Sequence, residues 1–360
     1  MTRAFTAERR QLTALRLAAQ CISSTTFTAP VEVVRHMLAM QAQDFPGAKW
    51  SVGLRASGVT DADVERSLAA REIVRSWPMR GTLHLAPAED LAWMLSLTRD
   101  RTVRSAAGRH RQLELDDASF VQAATIAENL LSGNRVLGRN ALLAAFDAAG
   151  LSTAGQRGAH LLLYLNVTGH LVFGPVNGKQ HSFVLLEEWV PKPRQLDTDE
   201  ALGEFALRYF TSHGPATDRD FAWWSSLSLT EARRGLSIAK KDLDELQLDG
   251  TTYYLAPGLE PASPAVHALP GFDEYVLGYQ NRDAQLAPTM ATRIVPGGNG
   301  MFLSTVVVDG EILGTWKRTG GAKTVAIEVV AFDTIPHKAR AGFAREAHRY
   351  GEFVGRKVVL

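Results

Sequence analysis

Apolar positions recur at helical spacing in short bursts, and each group of bursts is followed by a pair of β-branched or alternating runs. Pro30 opens the first passage, and Val34, Met37 and Leu38 follow on one helical face. An acidic start at Thr60-Asp61-Ala62-Asp63 leads into the segment Val64–Arg71. Ile73–Trp77 and Gly81–Leu85 then read as two strands around Pro78-Met79-Arg80. A second passage predicts helices at Phe120–Leu131, Gly138–Ala149 and Thr153–Thr168, then strands at Leu171–Phe173 and Phe183–Leu186. A third predicts helices near Glu200–Ser212, Thr217–Trp224 and Thr230–Lys240. Its strands are Leu243–Leu248 and Thr251–Leu255, joined by Asp249-Gly250, a strong tight-turn signal. Helices followed by such a hairpin are the winged-helix pattern, so three tandem copies are expected. Beyond Leu269 the chain turns β-rich. Thr292–Pro296, Met301–Val308 and Glu311–Trp316 read as strands, with Gly297-Gly298-Asn299-Gly300 and Asp309-Gly310 in the turns, and Lys338–Tyr350 as a last helix.

The expected fold class is mainly α with β (α+β). The expected segments are 1–29 (helical), 30–115, 116–190 and 195–256 (winged helices) and 265–360 (β-rich), with Pro191-Lys192-Pro193-Arg194 as a linker. A chain of 360 residues is long enough for two or three modules, since single cores seldom grow beyond ~250–300 residues. Hydrophobic residues at 46% exclude a disordered chain, and a single cysteine, Cys21, excludes a disulfide framework or a cysteine-based zinc finger. There is no run of ~18 apolar residues, and Met-Thr-Arg-Ala-Phe-Thr lacks the apolar core of a signal peptide. A cytoplasmic protein with no membrane partner is expected.

Charge needs its distribution as well as its total. The 39 basic and 38 acidic residues leave a net charge of +1, which by itself does not point to nucleic acid. Arginine supplies 30 of the basic residues against 9 lysines. That preference suits phosphate and base edges, and genomic base composition produces it equally well. Five arginines (Arg99, Arg101, Arg104, Arg109, Arg111) and His110 fall within thirteen residues that hold one acid, Asp100. Such a run is either a solvated helix face or a phosphate-binding stripe whose affinity falls with salt. Arg66, Arg71, Arg75 and Arg80 lie nearby in the first winged-helix unit and favour the second reading.

Common catalytic signatures are missing: there is no phosphate-binding glycine loop, no Gly-x-Ser-x-Gly and no His-Glu-x-x-His. Neither a metal nor a cofactor is expected. The distinctive stretch is Met40-Gln41-Ala42-Gln43-Asp44-Phe45-Pro46-Gly47. The helix phase set by Val34, Met37 and Leu38 buries Gln41, whose amide must then find partners. Pro46 biases Phe45 to an extended conformation, so the helix is expected to end near Gln43. In an extended exit, residues two apart share a side, and Gln41 and Gln43 could converge. The plainer alternative is a polar helix end whose amides satisfy loose carbonyls. The glycine-rich tip at 297–300, with Arg293 behind it, is either a groove-entering hairpin or an ordinary turn. Trp77, Trp223 and Trp224 read as core rather than as base-stacking platforms.

Met-Gln-Ala-Gln-Asp (40–44) and Arg-Ser-Trp-Pro-Met-Arg-Gly-Thr-Leu-His (75–84) resemble the AlkZ-type tandem winged-helix DNA glycosylases. So do Gly-Pro-Ala-Thr-Asp-Arg-Asp-Phe-Ala-Trp-Trp (214–224), Leu-Pro-Gly-Phe-Asp-Glu-Tyr-Val-Leu-Gly-Tyr-Gln-Asn-Arg (269–282) and Val-Asp-Gly-Glu-Ile-Leu-Gly-Thr-Trp (308–316). The resemblance implies three winged-helix units building a concave DNA-binding surface. It also implies excision of alkylated purines, including bulky natural-product adducts and interstrand crosslinks, in alkylation repair or antibiotic self-resistance. The family's Gln-x-Gln motif falls on Gln41 and Gln43, with Asp44 as a supporting candidate. A sister branch carries Asp at the second place, where this chain keeps Gln43.

From this resemblance and the residues together, the expected activity is a monofunctional glycosylase. Its substrates would be N7-alkylguanine and secondarily N3-alkyladenine; water attacks and an abasic site remains. The expected partner is double-stranded DNA carrying alkylated purines, bound by a monomer in a bacterial cytoplasm and on the nucleoid. Arg71, Arg75, Arg80, Arg99, Arg101, Arg104, Arg109, Arg111, Arg282 and Arg293 are the candidate DNA contacts. Gly297, Gly298, Asn299 and Gly300 form the candidate lesion-probing hairpin. The alternative is a non-enzymatic winged-helix regulator or an adduct-sequestering resistance protein.

Overall fold

The computed structural model describes residues 6–24, 26–176 and 180–360; the opening Met-Thr-Arg-Ala-Phe, read above for a leader, lies outside them. By internal contacts the chain divides into a larger unit, residues 1–64 with 202–360, and a smaller one, residues 65–201. The stretch 30–115 contributes to both. The mixed α and β composition matches the expected class, and no helix among the described residues is long and apolar enough to cross a membrane.

In the smaller unit, an antiparallel sheet runs in the order Thr82–Pro87, Ile73–Met79, Leu171–Phe173, Ser182–Leu185, Leu137–Gly138. Asp117–Leu131, Arg139–Ala148 and Arg157–Val167 are helices close to the predicted bounds. Their apolar stripes meet in one core through Phe120, Leu131, Leu142, Phe146, Leu161 and Leu165. Local chemistry sets the helix starts; Asp116, for instance, caps the first helix by accepting from Ser119 N–H at 2.9 Å. Leu91–Gln112 is a 22-residue helix, and it carries the arginine run. The expected linker is tied down at its end, where Arg194 reaches Asp90 at 2.8 Å.

The helix Thr198–His213 enters the larger unit at Leu202, and with Asp218–Ser225 and Leu229–Ala239 it leads into the hairpin Asp244–Leu248 and Thr251–Leu255. Capping boxes at Thr217/Asp220 and Ser228/Glu231 start two of these helices. Asp249 and Gly250 both have positive φ, 49° and 71°, which is the two-residue turn that Asp-Gly favours. A five-stranded sheet follows, ordered Lys357–Val359, Thr324–Ala331, Glu311–Gly320, Ser304–Val308, Val266–Leu269. His337–Phe353 packs on it, with the Trp316 ring near Phe343 and Tyr350.

Two expectations fail in this region. Thr292–Pro296 is not a strand: Ala291–Ile294 is helical and Pro296–Gly298 is a turn of 3-10 helix. Gly297, Gly298, Asn299 and Gly300 consequently do not form a hairpin tip. The residues before them are helical and strand pairing begins only at Ser304, so no strand pair flanks the three positive-φ glycines. The long hairpin lies further on, between Glu311–Gly320 and Thr324–Ala331.

A buried ionic cluster joins the elements of the larger unit. The Arg55 and Asp273 side chains are both 0% exposed and 2.9 Å apart. Arg55 Nη1 and Nη2 donate to Asp273 Oδ2 and Oδ1, while Nε donates to Gln20 O. Ser51 Oγ and Tyr275 N donate to the same carboxylate. Removing one partner of a buried pair strands the other charge, so Asp273→Ala should lower the unfolding free energy of this unit by about 3–5 kcal/mol in a urea titration. His267, on the neighbouring strand, tests acid stability. Burial, with Arg349 and Arg55 nearby, lowers its pKa to about 4. Folded His267 stays neutral while the unfolded residue protonates near pH 6.5. Stability should therefore fall as pH drops from about 6.5 to 4, by up to about 3 kcal/mol, and His267→Gln should flatten that limb.

Candidate active site

Burial sets the turn that carries the two glutamines. Met37, Leu38, Ala39, Met40 and Ala42 are each at most 1% exposed, and one face of a helix cannot bury so many consecutive side chains. The helix stops at Met37 instead. Leu38 takes φ 62° and ψ −49°, and Ala39 N–H donates to the Met37 carbonyl at 2.8 Å. This is a γ-turn with positive φ, which is strained for a residue bearing a Cβ. Met40–Gln41 is extended. Two expectations are corrected here. The helix does not run on to Gln43, and Pro46 opens the helix Phe45–Gly53 rather than ending one, because a missing N–H costs nothing in a first turn.

Gln41 is 8% exposed, whereas Gln43 is exposed. The backbone N–H of Gln41 donates to Glu274 Oε1 at 2.8 Å. Glu274 is itself 0% exposed; its Oε2 accepts from Trp224 Nε1 at 2.8 Å and lies 3.5 Å from His213 Nε2. The backbone of the buried glutamine is therefore held by an anchored carboxylate. Around this anchor, burial raises the pKa values of the Tyr209, Tyr275 and Tyr279 phenols far above the ordinary range. Each hydroxyl stays protonated and donates: Tyr209 to Gly278 O, Tyr275 to Gly310 O and Tyr279 to His213 O.

Asp44 occupies the N-cap position of the Phe45–Gly53 helix, yet its side chain makes no cap bond. Its Oδ2 meets Arg318 Nη2 at 3.0 Å. Gly47 permits this, since a Cβ there would come within 2.4 Å of that oxygen. Glu274, Trp224, His213 and Arg318 were not among the expected site residues. The signal for Glu274 was present: Asp273-Glu274 is a pair of acids inside an apolar run, and buried acids need partners.

The family described as "DNA glycosylase AlkZ-like" matches residues 34–353. The chain belongs to that family. It is 26% identical over 330 residues to an interstrand DNA cross-link repair glycosylase of Streptomyces sahachiroi, covering 86% of this chain and 87% of the relative. The solved structure of the S. sahachiroi DNA glycosylase AlkZ superposes with a TM-score of 0.78 at 24% identity, over 97% of this chain and 99% of that one. The fold is therefore the AlkZ fold.

In this AlkZ-like chain the candidate arginines divide into two kinds. Arg75 is 5% exposed, lies 5.0 Å above the Phe173 ring and donates to His181 at 2.9 Å. Burial and the Arg75 charge lower the His181 pKa to about 4, so the ring remains a neutral acceptor. Arg71 stacks 4.1 Å over Trp189 and donates to Glu188 O. Both, expected to touch DNA, stack on aromatic rings, with Arg75 buried and Arg71 partly exposed. Arg80 is half-buried and pairs with His84. Arg282 lies between the Trp223 and Phe302 rings, at 5.0 and 5.3 Å, while exposed Arg293 covers Phe332.

The arginines of the Leu91–Gln112 helix do not form one stripe. At about 100° per residue only Arg104 and Arg111 align, with half-buried Arg101 beside them. Arg99 sits against Asp100, and Arg109 bonds Gln156 and Gln112. Trp224 is core as expected, and Trp77 packs against Phe173. Arg75→Met should lower the melting temperature without changing the salt slope of duplex binding. Arg104→Glu should leave folding intact, weaken binding to all sequences and reduce that slope by about 1; a binding titration across salt separates them.

Proposed function

We propose that this chain is a monofunctional DNA glycosylase that hydrolyses the N-glycosidic bond of N7-alkylpurines and leaves an abasic site. Gln41 and Gln43 are the residues assigned to the attacking water. An N7-alkylguanine already carries positive charge and leaves as a neutral base, so the departing group needs little acid catalysis. What the enzyme adds is a water held beside the sugar C1′. Carboxamides suit that task, since each offers an acceptor oxygen and two N–H donors. The observation that carries the reading is the tether from Gln41 N–H to buried Glu274, which holds the Gln-Ala-Gln turn in register.

Two further features support it. Glu274 has both oxygens engaged and no exposure, which assigns it to positioning rather than proton transfer. Lys49, close to Gln43 in sequence, is 6% exposed and held by Asp61 at 2.6 Å, unlike an amine meant to attack a sugar. Bulky adducts and crosslinks extend the proposed substrate range; the S. sahachiroi relative is named for interstrand cross-link repair. Exposed Arg104 and Arg111 are the proposed phosphate contacts of a monomer on duplex DNA.

The test is base release from a duplex with one N7-methylguanine or one bulky N7 adduct, followed by alkaline cleavage at abasic sites. Wild type should release the base, and Gln41→Ala and Gln43→Ala should each lower the single-turnover rate by on the order of a hundredfold. A sequence-specific footprint on undamaged DNA with no base release from any adduct would replace this reading with that of a regulator.

A further inference from the structure

The ion pair between Asp44 and Arg318 lies next to the proposed catalytic turn. Asp44 directly follows Gln43 in the chain. Its carboxylate would ordinarily cap the helix Phe45–Gly53, but it makes no cap bond and instead meets Arg318 at 3.0 Å. The two side chains are 34% and 22% exposed. A partly exposed pair contributes modestly to folding. Two features nevertheless favour it over the cap. Gly47 leaves room for the carboxylate where any Cβ would collide. The guanidinium has Asp44 as its carboxylate partner among the described residues and lies 5.7 Å from the Tyr350 ring, while its Nη1 is buried without a protein partner. Arg318 belongs to the strand Glu311–Gly320 and is paired across the long hairpin with Ile327.

We infer that Arg318 is a positioning residue for Gln43: through Asp44 it fixes the turn on which Gln43 stands and links that turn to the strand leading into the Gly320–Thr324 hairpin tip. The inference rests on the Gln41/Gln43 reading above. Glu274 holds the backbone on the Gln41 side of the turn, and Arg318 holds it on the Gln43 side. Loss of either partner leaves the fold intact and lets Gln43 wander, which reduces the rate of the chemical step rather than the affinity for DNA. A displacement of about 1 Å at a reacting group costs on the order of a hundredfold in rate.

The experiment is single-turnover base release from duplex carrying one N7-methylguanine, with duplex affinity and melting temperature measured on the same proteins. The variants are Arg318→Gln, Arg318→Lys, Asp44→Asn, the double variant Asp44→Asn/Arg318→Gln, and Gln41→Ala as reference. Arg318→Gln and Asp44→Asn should each lower the rate by about ten- to a hundredfold, with affinity within about twofold and melting temperature unchanged. The double variant should be no slower than the worse single variant, because both remove one link. Arg318→Lys should recover part of the loss. Rates near wild type in the Arg318 and Asp44 variants, with Gln41→Ala inactive, overturn the inference and leave the glutamine reading standing. Lost affinity at an unchanged saturated rate makes Arg318 a DNA contact and also overturns it. Full activity of Gln41→Ala removes the glutamine reading and this one with it.

Discussion

Two adjacent carboxylates, Asp273 and Glu274, are removed from water, and each must be matched by donors from elsewhere in the chain. Arg55, Ser51 and the Tyr275 amide satisfy the first. The Gln41 amide and Trp224 bond the second, with His213 at 3.5 Å. Burying such charges gains little over a well-packed apolar core, but leaving either one unmatched is costly. The cluster therefore acts as a lock on register. The helix Phe45–Gly53 through Ser51, the helix Asp218–Ser225 through Trp224 and the glutamine turn must all sit where their donors reach, and Gln20 must sit where it accepts from Arg55. Any slip leaves a naked charge. The same lock makes the strained backbone at Leu38 and Phe272, both at positive φ, tolerable, because the surroundings determine those conformations from several sides at once.

The arginine-rich composition has a structural meaning beside any electrostatic one. A guanidinium is planar and carries five donors, so it can be stacked and hydrogen-bonded at once. Arg55 engages all three of its nitrogens in the interior. Arg16, 2% exposed, lies 3.6 Å over Tyr279 while bonding Pro215 O and Gln285. Arg75 and Arg71 do the same on Phe173 and Trp189. Lysine, with a compact and strongly hydrated charge, would fit none of these places. Other arginines, such as Arg104 and Arg111, stay exposed on the Leu91–Gln112 helix. A count along the sequence cannot separate the two uses, because both need the same residue.

The second and third groups of helices and strands were legible because their signals are local. Capping residues, Asp249-Gly250 and the helical spacing of apolar residues each specify their own neighbourhood, so the second and third sets of helices and strands fell near their predicted bounds. The Gln-x-Gln stretch was legible too, as a polar interruption in an apolar run. What misled were residues whose local preference has two outcomes. Pro46 can end one helix or begin the next, and it begins one. Gly297 to Gly300 can make a hairpin tip or an irregular loop. The choice went to the loop once Ile294 and Leu303, which bond across it at 2.9 Å, were placed.

The sequence alone determined a mixed α and β chain with helix-and-hairpin passages and marked out the Gln41-Ala42-Gln43 stretch, because those properties depend on residues near one another along the chain. Only the tertiary structure decided that Glu274 carries Gln41, that Arg318 meets Asp44, and which arginines are stacked inside. Those partners lie more than 200 positions apart for the first two pairs, and for a buried charge or a stacked guanidinium the deciding quantity is what surrounds it in space, which no neighbouring residue records.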